Sequence, residues 1–373
     1  MTPAKYIERS PDPQKNLQLI QVLRGIASLL VMLFHATKNL SEIKGQSFAF
    51  DFFSFGGAGV DIFFVLSGFI ITYTSFKAIT HPNQALPFIR RRFIRIFPAY
   101  WIIIVLFVIV QLLLPAFYKT HFEFSFNNIL STLFLLPGHT MVNGVSWTLT
   151  YELFFYLLFS LAFVIPKKKW TFSFFAVYAV VIIAVPLSGH NLEHGNEWIT
   201  LLTYPMNIEF LMGVIAAIII PYIPPRTSLA LIIGGAILFL AGGIFSNQGH
   251  FLLADTYNRV VLFGLPSFLI ICGLVRFELS RQLVVHNVFL LLGEASYSIY
   301  LLHLPLLAAG IKLAARFNIE NNLILHFLLI CIMVVICFGA VLFYKLIENP
   351  LLISLKNQKG PDKFGRKLET GNY

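Results

Sequence analysis

Arg24 and His35 stand eleven positions apart in an otherwise apolar run, LRGIASLLVMLFH. Eleven helical steps return two side chains to nearly one face, about 16 Å apart along the axis. A central arginine costs roughly 2.5–3.5 kcal/mol on membrane-insertion scales, so it calls for a partner, a cavity or a task. The plainer account is that Arg24 snorkels to headgroups and His35 sits at the opposite interface. The company of these residues weighs against it. Asp61 lies in GGAGVDIFFVLSGF (56–69), Glu152 in SWTLTYELFFY (146–156) and His303 in LGEASYSIYLLHLP (292–305). Histidine beside carboxylates is the usual material for proton transfer near neutral pH. Tyr297 and Tyr300 sit about one turn below His303, and Ser67 with Gly68 gives the second motif a small polar face.

A second chemistry is suggested by RRRFIRIFPAYW (90–101). Arg91, Arg92 and Arg95 can share one helical turn, and planar guanidinium forks suit phosphate oxygens. As a bare charge run the same stretch would be a cytoplasmic anchor flanked by interfacial aromatics. The chain has no P-loop, no glycine fingerprint opening a helix and no HExxH pair, so nucleotide-driven pumping and zinc proteolysis are poorly supported. Glu209, Arg259 and Glu348 are expected to close internal ion pairs.

The elements that must position these groups follow from composition. Of 373 residues, 57% are hydrophobic and 12% charged, and the mean hydropathy is +0.79. A soluble chain of this size could not hide so much apolar surface, and the runs are continuous rather than alternating. The expected fold is an all-α polytopic transmembrane bundle. Ten spans are read, at roughly 18–37, 58–76, 98–117, 146–165, 170–187, 201–220, 229–246, 259–276, 287–307 and 323–346. The run 127–136 is too short to cross. Lys and Arg concentrate in alternate connections, including 90–95, 167–169 and the tail, which puts both termini in the cytoplasm. The net charge of +10 is explained by that orientation, without nucleic acid. Cys272, Cys331 and Cys337 read as thiols in apolar runs, not metal ligands. The division expected is a cytoplasmic segment 1–16, a membrane domain 17–350 and a basic cytoplasmic tail 351–373. No cleavable leader is expected.

Taken in order, Arg24-x10-His35, GVDIFFVLSGF, RRFIR (91–95), SWTLTYELFFY, SYSIYLLHLP and the closing ENP resemble the acyltransferase-3 type of membrane acyltransferase. That class O-acylates bacterial surface polysaccharides. The resemblance covers about 17–350. It implies acyl-coenzyme A, with acetyl as the default, as donor substrate from the cytoplasm. It also implies a carbohydrate or glycolipid hydroxyl as acceptor and a place in the bacterial inner membrane. It points to Arg24, His35, Arg91, Arg92 and Arg95 as functional. Some members carry an extra extracytoplasmic domain. This chain is expected to work without one, or to hand its acyl group to a separate partner.

The residues agree with that implication. An inner arginine patch would hold coenzyme A phosphates, Arg24 would line the path, and His35 would act as base. Asp61 or Glu152 would orient the imidazole, and His303 would support it. A direct transfer and a covalent acyl-histidine both remain open. The competing classes are a secondary transporter or flippase for a polar lipid or sugar, and a non-catalytic scaffold. No inverted repeat favours the first, and the second leaves the intramembrane charges without purpose.

The orientation is testable in intact cells. A cysteine replacing Leu192 should react with an impermeant thiol reagent, and one replacing Lys168 should not. Labelling of the second alone would reverse the topology.

Overall fold

The computed structural model describes residues 17–45, 48–113, 125–138, 141–187, 196–247, 256–281, 283–317 and 321–357. The expected segment 1–16 and residues 358–373 of the expected tail lie outside them. Among the described residues there is no strand, and ten helical stretches are long and apolar enough to cross a membrane.

The helices are α1 (Gln18–Lys44), α2 (Gly59–Ser75), α3 (Ala85–Leu113), α4 (Phe126–Phe134) and α5 (Trp147–Val164). They continue as α6 (Lys168–Leu187), α7 (Glu197–Thr203), α8 (Asn207–Ile219) and α9 (Ser228–Asn247). The last are α10 (Thr256–Arg259), α11 (Leu265–Ser280), α12 (Asn287–Glu294), α13 (Ser296–Ala315), α14 (Asn322–Phe343) and α15 (Asn349–Asn357). Single π-type turns, Val260–Gly264 and Tyr344–Glu348, join α10 to α11 and α14 to α15.

Helix starts are written locally. The side chains of Ser125, Asn196, His286 and Asn321 accept hydrogen bonds from the first backbone amides of α4, α7, α12 and α14. Such caps satisfy amides that the helix itself leaves unpaired. At the end of α1, Gly45 takes φ +64°, a left-handed stop that suits glycine.

Two expected spans differ in outline. The span read at 98–117 is the end of a longer helix, because α3 already begins at Ala85. The arginines therefore sit on a rigid helix rather than in a loop. The span read at 287–307 is broken at Ala295, and its crossing part is α13. The short run at 127–136 forms α4, nine residues long. Tyr100 and Trp101 of α3 donate to its carbonyls at Thr132 and Leu133, over 2.7 and 2.9 Å.

The bundle is organised around α2. In its apolar window 83% of residues are buried, against 28% for α14, which faces the surroundings. Peripheral helices present Val180, Ile237, Phe327, Val335 and Phe338 outward, as expected where lipid replaces water. Between helices made of similar hydrocarbon, close packing supplies the attraction, and small residues allow it. Gly68 of α2 and Gly213 of α8 form such a crossing. A Cβ on either would strike the partner backbone, at Phe210 O and Val65 O respectively. Phe210 then stacks between Phe64 and Phe155, with both ring separations 4.5 Å.

Gly213→Val should therefore push α8 off α2. Overpacking costs about 1–3 kcal/mol in adaptable cores, and backbone against backbone cannot adapt. The expected result is a lower Tm in detergent and reduced folded yield, with Gly234→Ala, which meets nothing within 4 Å, as the neutral control.

Candidate active site

Two connected spaces run along the bundle axis. The first is a vestibule of about 610 Å³ at the end where α3 carries its arginines. Its walls include Arg24 of α1, Arg91, Arg92 and Arg95 of α3, Glu294 of α12 and Lys356 of α15. The second is a narrower cavity of about 140 Å³. Arg24, Ile70, Arg92 and Arg95 line both, so the vestibule passes directly into it. Deeper in, the narrow cavity is lined by Ser67, Glu152, Tyr156, Tyr297, Thr148 and Tyr300.

Three of these cations have defined seats. The Arg92 guanidinium carbon lies 5.3 Å from the ring centres of both Phe88 and Tyr156. A cation over an aromatic face is held without losing its charge. Arg95 Nη1 donates to Glu348 Oε1 at 2.6 Å and lies over Tyr297 at 5.4 Å. Ser298 donates to the other Glu348 oxygen at 2.5 Å. Arg24 Nη1 donates to Gln21 one turn back, at 3.2 Å.

Glu152 lies in the middle of the path. It accepts from Ser67 at 2.9 Å and from Tyr156, four residues on along its own helix. At the inner end Tyr300 and Thr148 share a hydrogen bond of 2.8 Å. Beyond Tyr300 stands His303, with ring centres 5.8 Å apart, and His303 faces His35 at 5.2 Å. His303 is fully buried. Its Nδ1 lies 3.2 Å from the Ile299 carbonyl and so carries a proton towards it. That leaves Nε2 an acceptor, with no partner among the described residues.

The expected support of His35 by a carboxylate needs correction. Asp61 is held by Arg259, whose Nε reaches both carboxylate oxygens at 2.9 and 3.0 Å and whose Nη2 reaches Oδ2 at 2.7 Å. The same Nη2 donates to Gly57 O at 2.7 Å. Glu152 is engaged by Ser67 and Tyr156. The group beside the imidazole of His35 is a second histidine. The reason is rotational: six residues separate Asp61 from Ser67, which turns them about 120° apart around α2. One faces α10, the other α5. Arg95 is amended similarly. Its ion pair with Glu348 at 2.6 Å offsets much of its charge. Arg259 and Glu348 do close ion pairs, as expected; Glu209 is fully buried against Gly264 and, among the described residues, neither of its carboxylate oxygens has a hydrogen-bond partner.

Sequence reasoning passed over Tyr156, Thr148 and Lys356. Tyr156 was recoverable, since four residues after Glu152 places it on the same helical face. Thr148 and Lys356 carry no local signal.

The comparisons bear on what this path is for. The family model described as "Acyltransferase domain" (acyltransferase 3) matches residues 18–343. The chain belongs to the acyltransferase-3 family. It is therefore a multi-pass membrane acyltransferase, and both spaces and the histidine pair fall mainly within the matched region. The chain is similar to the exopolysaccharide production protein ExoZ of Rhizobium meliloti (strain 1021). The two are 29% identical over 283 residues, covering 73% of this chain and 80% of the relative. It is also similar to the peptidoglycan O-acetyltransferase OatA of Listeria monocytogenes, 26% identical over 79% of this chain and 50% of the relative. The chain thus spans half the length of that protein. The acyltransferase MdmB of Streptomyces mycarofaciens is 22% identical over 81% of this chain and 82% of its own. No solved structure matches the chain.

The Asp61–Arg259 pair yields a prediction. Both side chains are at most 9% exposed, and removing one member of a buried pair strands the other, at a cost of ~3–5 kcal/mol. Arg259→Ala should sharply lower Tm and membrane yield. The double variant Asp61→Asn with Arg259→Gln should recover much of both, and should retain transfer activity. Loss of activity in a well-folded double variant would restore Asp61 to the chemistry.

Proposed function

We propose that this acyltransferase takes an acyl group, acetyl in the first instance, from acyl-coenzyme A on the cytoplasmic side of the bacterial inner membrane. It passes the group to a hydroxyl of a cell-surface carbohydrate or of its lipid-linked precursor. One observation carries the reading: a polar path leads from a cationic vestibule past Glu152 as far as Tyr300, and behind Tyr300 two histidines face each other. Coenzyme A has that layout, with a polyanionic end, a long thin arm and a terminal thioester. The donor substrate would leave its phosphates among Arg24, Arg91 and Arg92 and send its arm down the narrow cavity. Two relatives, an exopolysaccharide production protein and a peptidoglycan O-acetyltransferase, support a carbohydrate acceptor.

In this reading His35 is the general base. Its free imidazole nitrogen takes the proton of the acceptor hydroxyl as that oxygen attacks the thioester carbonyl. A carbon–oxygen bond forms, the carbon–sulfur bond breaks, and the imidazolium returns its proton to the departing thiolate. General-base help of this kind contributes roughly 10²–10⁴-fold. His303 fixes the geometry by accepting a hydrogen bond at Nε2, its Nδ1 proton being held by Ile299 O. An acyl-histidine on His35 would use the same atoms in two steps.

Purified protein in nanodiscs, supplied with acetyl-coenzyme A and a membrane glycolipid extract, tests the reading. His35→Ala should insert normally and lose at least about a hundredfold in kcat. His303→Ala should lose less. Near-normal turnover in His35→Ala would refute the assigned base. Glycolipid movement without thioester loss would point instead to a transporter.

Donor binding separates from chemistry by kinetics. Removing a remote contact that is equal in ground and transition states raises KM and spares kcat. A charge-assisted contact is worth roughly 1.5–3 kcal/mol, so Arg92→Ala should raise the KM for acetyl-coenzyme A about tenfold or more. Arg92→Lys should recover only part, since an ammonium lacks the planar fork. An unchanged KM would return the arginine run to a topological anchor.

A further inference from the structure

We infer that Lys356, on the carboxy-terminal helix α15, is a donor-binding residue that grips the phosphorylated nucleotide end of coenzyme A. The inference rests on the donor assigned above. Lys356 lies beyond residue 343, where the family match ends, and a charge-run reading places it in a cytoplasmic tail. The structure folds it back over the site. The π-type turn Tyr344–Glu348 ends α14 and redirects the chain. Glu348 then bonds Arg95, and Arg90 Nη2 donates to Leu355 O at 3.3 Å, so α15 is fastened along α3 at two points. Leu352 is buried beneath it. The eighth residue of α15, Lys356, thereby becomes part of the vestibule wall.

The charge balance there is lopsided. Arg24, Arg91, Arg92, Arg95 and Lys356 line the vestibule. Among the described residues Glu294 is the carboxylate in that wall, with Glu348 on Arg95 and Glu152 within electrostatic reach of Arg24. Lys356 is within electrostatic reach of Arg92 and Arg95. Like charges assembled around one concave space repel each other, and a polyanion that enters relieves the repulsion. The nucleotide end of coenzyme A carries a pyrophosphate and a 3′-phosphate. Arg24 and Arg92 also line the narrow cavity, so they meet the start of the arm. Lys356 lines only the wide outer space, where the nucleotide end must remain. An ammonium on a flexible stem suits a phosphate near solvent, as a point charge rather than a fork. Lipid phosphate offers the same chemistry, so the test must separate the two.

Binding to the purified full chain in phosphatidylcholine nanodiscs, free of anionic lipid, needs no acceptor. Three probes are titrated: coenzyme A, 3′-dephospho-coenzyme A and 4′-phosphopantetheine. Lys356→Ala should weaken coenzyme A binding about three- to tenfold, the lower part of the charge-assisted range for a solvent-facing group. It should leave 4′-phosphopantetheine, which lacks the nucleotide, unchanged. Lys356→Arg should restore coenzyme A binding. The dephospho probe reports which phosphate is held. Unaltered coenzyme A binding in Lys356→Ala overturns the inference and leaves the lysine to lipid headgroups. Equal loss for coenzyme A and phosphopantetheine also overturns it, since the residue would then act through the packing of α15. If the unmodified protein binds no coenzyme A at all, the donor assignment falls with it.

Discussion

Arg259 meets Asp61 through three N–H···O contacts and Gly57 through a fourth. In hydrocarbon neither charge would be tolerated alone, and together they fix three segments at once. The pair sets the rotation of α2 about its own axis. That rotation aims Ser67 at Glu152 and lays Gly68 against the backbone of α8. A small turn of α2 would close the narrow cavity, because Val60, Phe63, Phe64 and Ser67 supply one wall of it. The second ion pair, Arg95 with Glu348, does for α3 and the carboxy-terminal helix what the first does for α2 and α10.

Between these two fixed points the polar path keeps its own chemistry. Glu152 accepts from a serine and a tyrosine, and Arg92 rests between two rings, so neither needs the other to stay charged in place. That independence matters for a passage proposed to receive an anion. Had Arg92 and Glu152 paired directly, the entering phosphates would first have to break the bond. Instead the cations near the vestibule remain attractive, and the hydroxyls of Ser67, Tyr156, Tyr300 and Thr148 offer donors and acceptors to an amide-bearing arm.

Much of this was readable from residues alone. The ten crossings follow from runs of apolar residues, and the shared face of Arg24 and His35 follows from helical periodicity. What periodicity could not supply is how each helix is rotated against its neighbours. Asp61 and Glu152 both looked available to His35 because depth in the membrane can be read along a sequence, whereas azimuth cannot. Asp61 is turned towards Arg259 and Glu152 towards Ser67 and Tyr156, while the imidazole facing His35 belongs to His303. The seat of Lys356 was hidden for another reason. Lys356 carries charge and lies near the end of the chain, both marks of a solvated segment. Its placement depends on a π-type turn and an ion pair made with a helix some 250 residues earlier, at Arg95.

The meeting of Tyr300 with Thr148 has a consequence for the membrane as a whole. Phe63 lies edge-on to the same tyrosine, with ring centres 5.8 Å apart. Between them these three side chains pinch the path just short of the histidines. A cell membrane stores energy as ion gradients, and a polar passage that joined its two faces would short-circuit them. The described cavity ends at the pinch, short of both histidines. In the proposed reaction a thin acyl arm pushing past Tyr300 would fill the opening it makes, so the reactants themselves would serve as the seal.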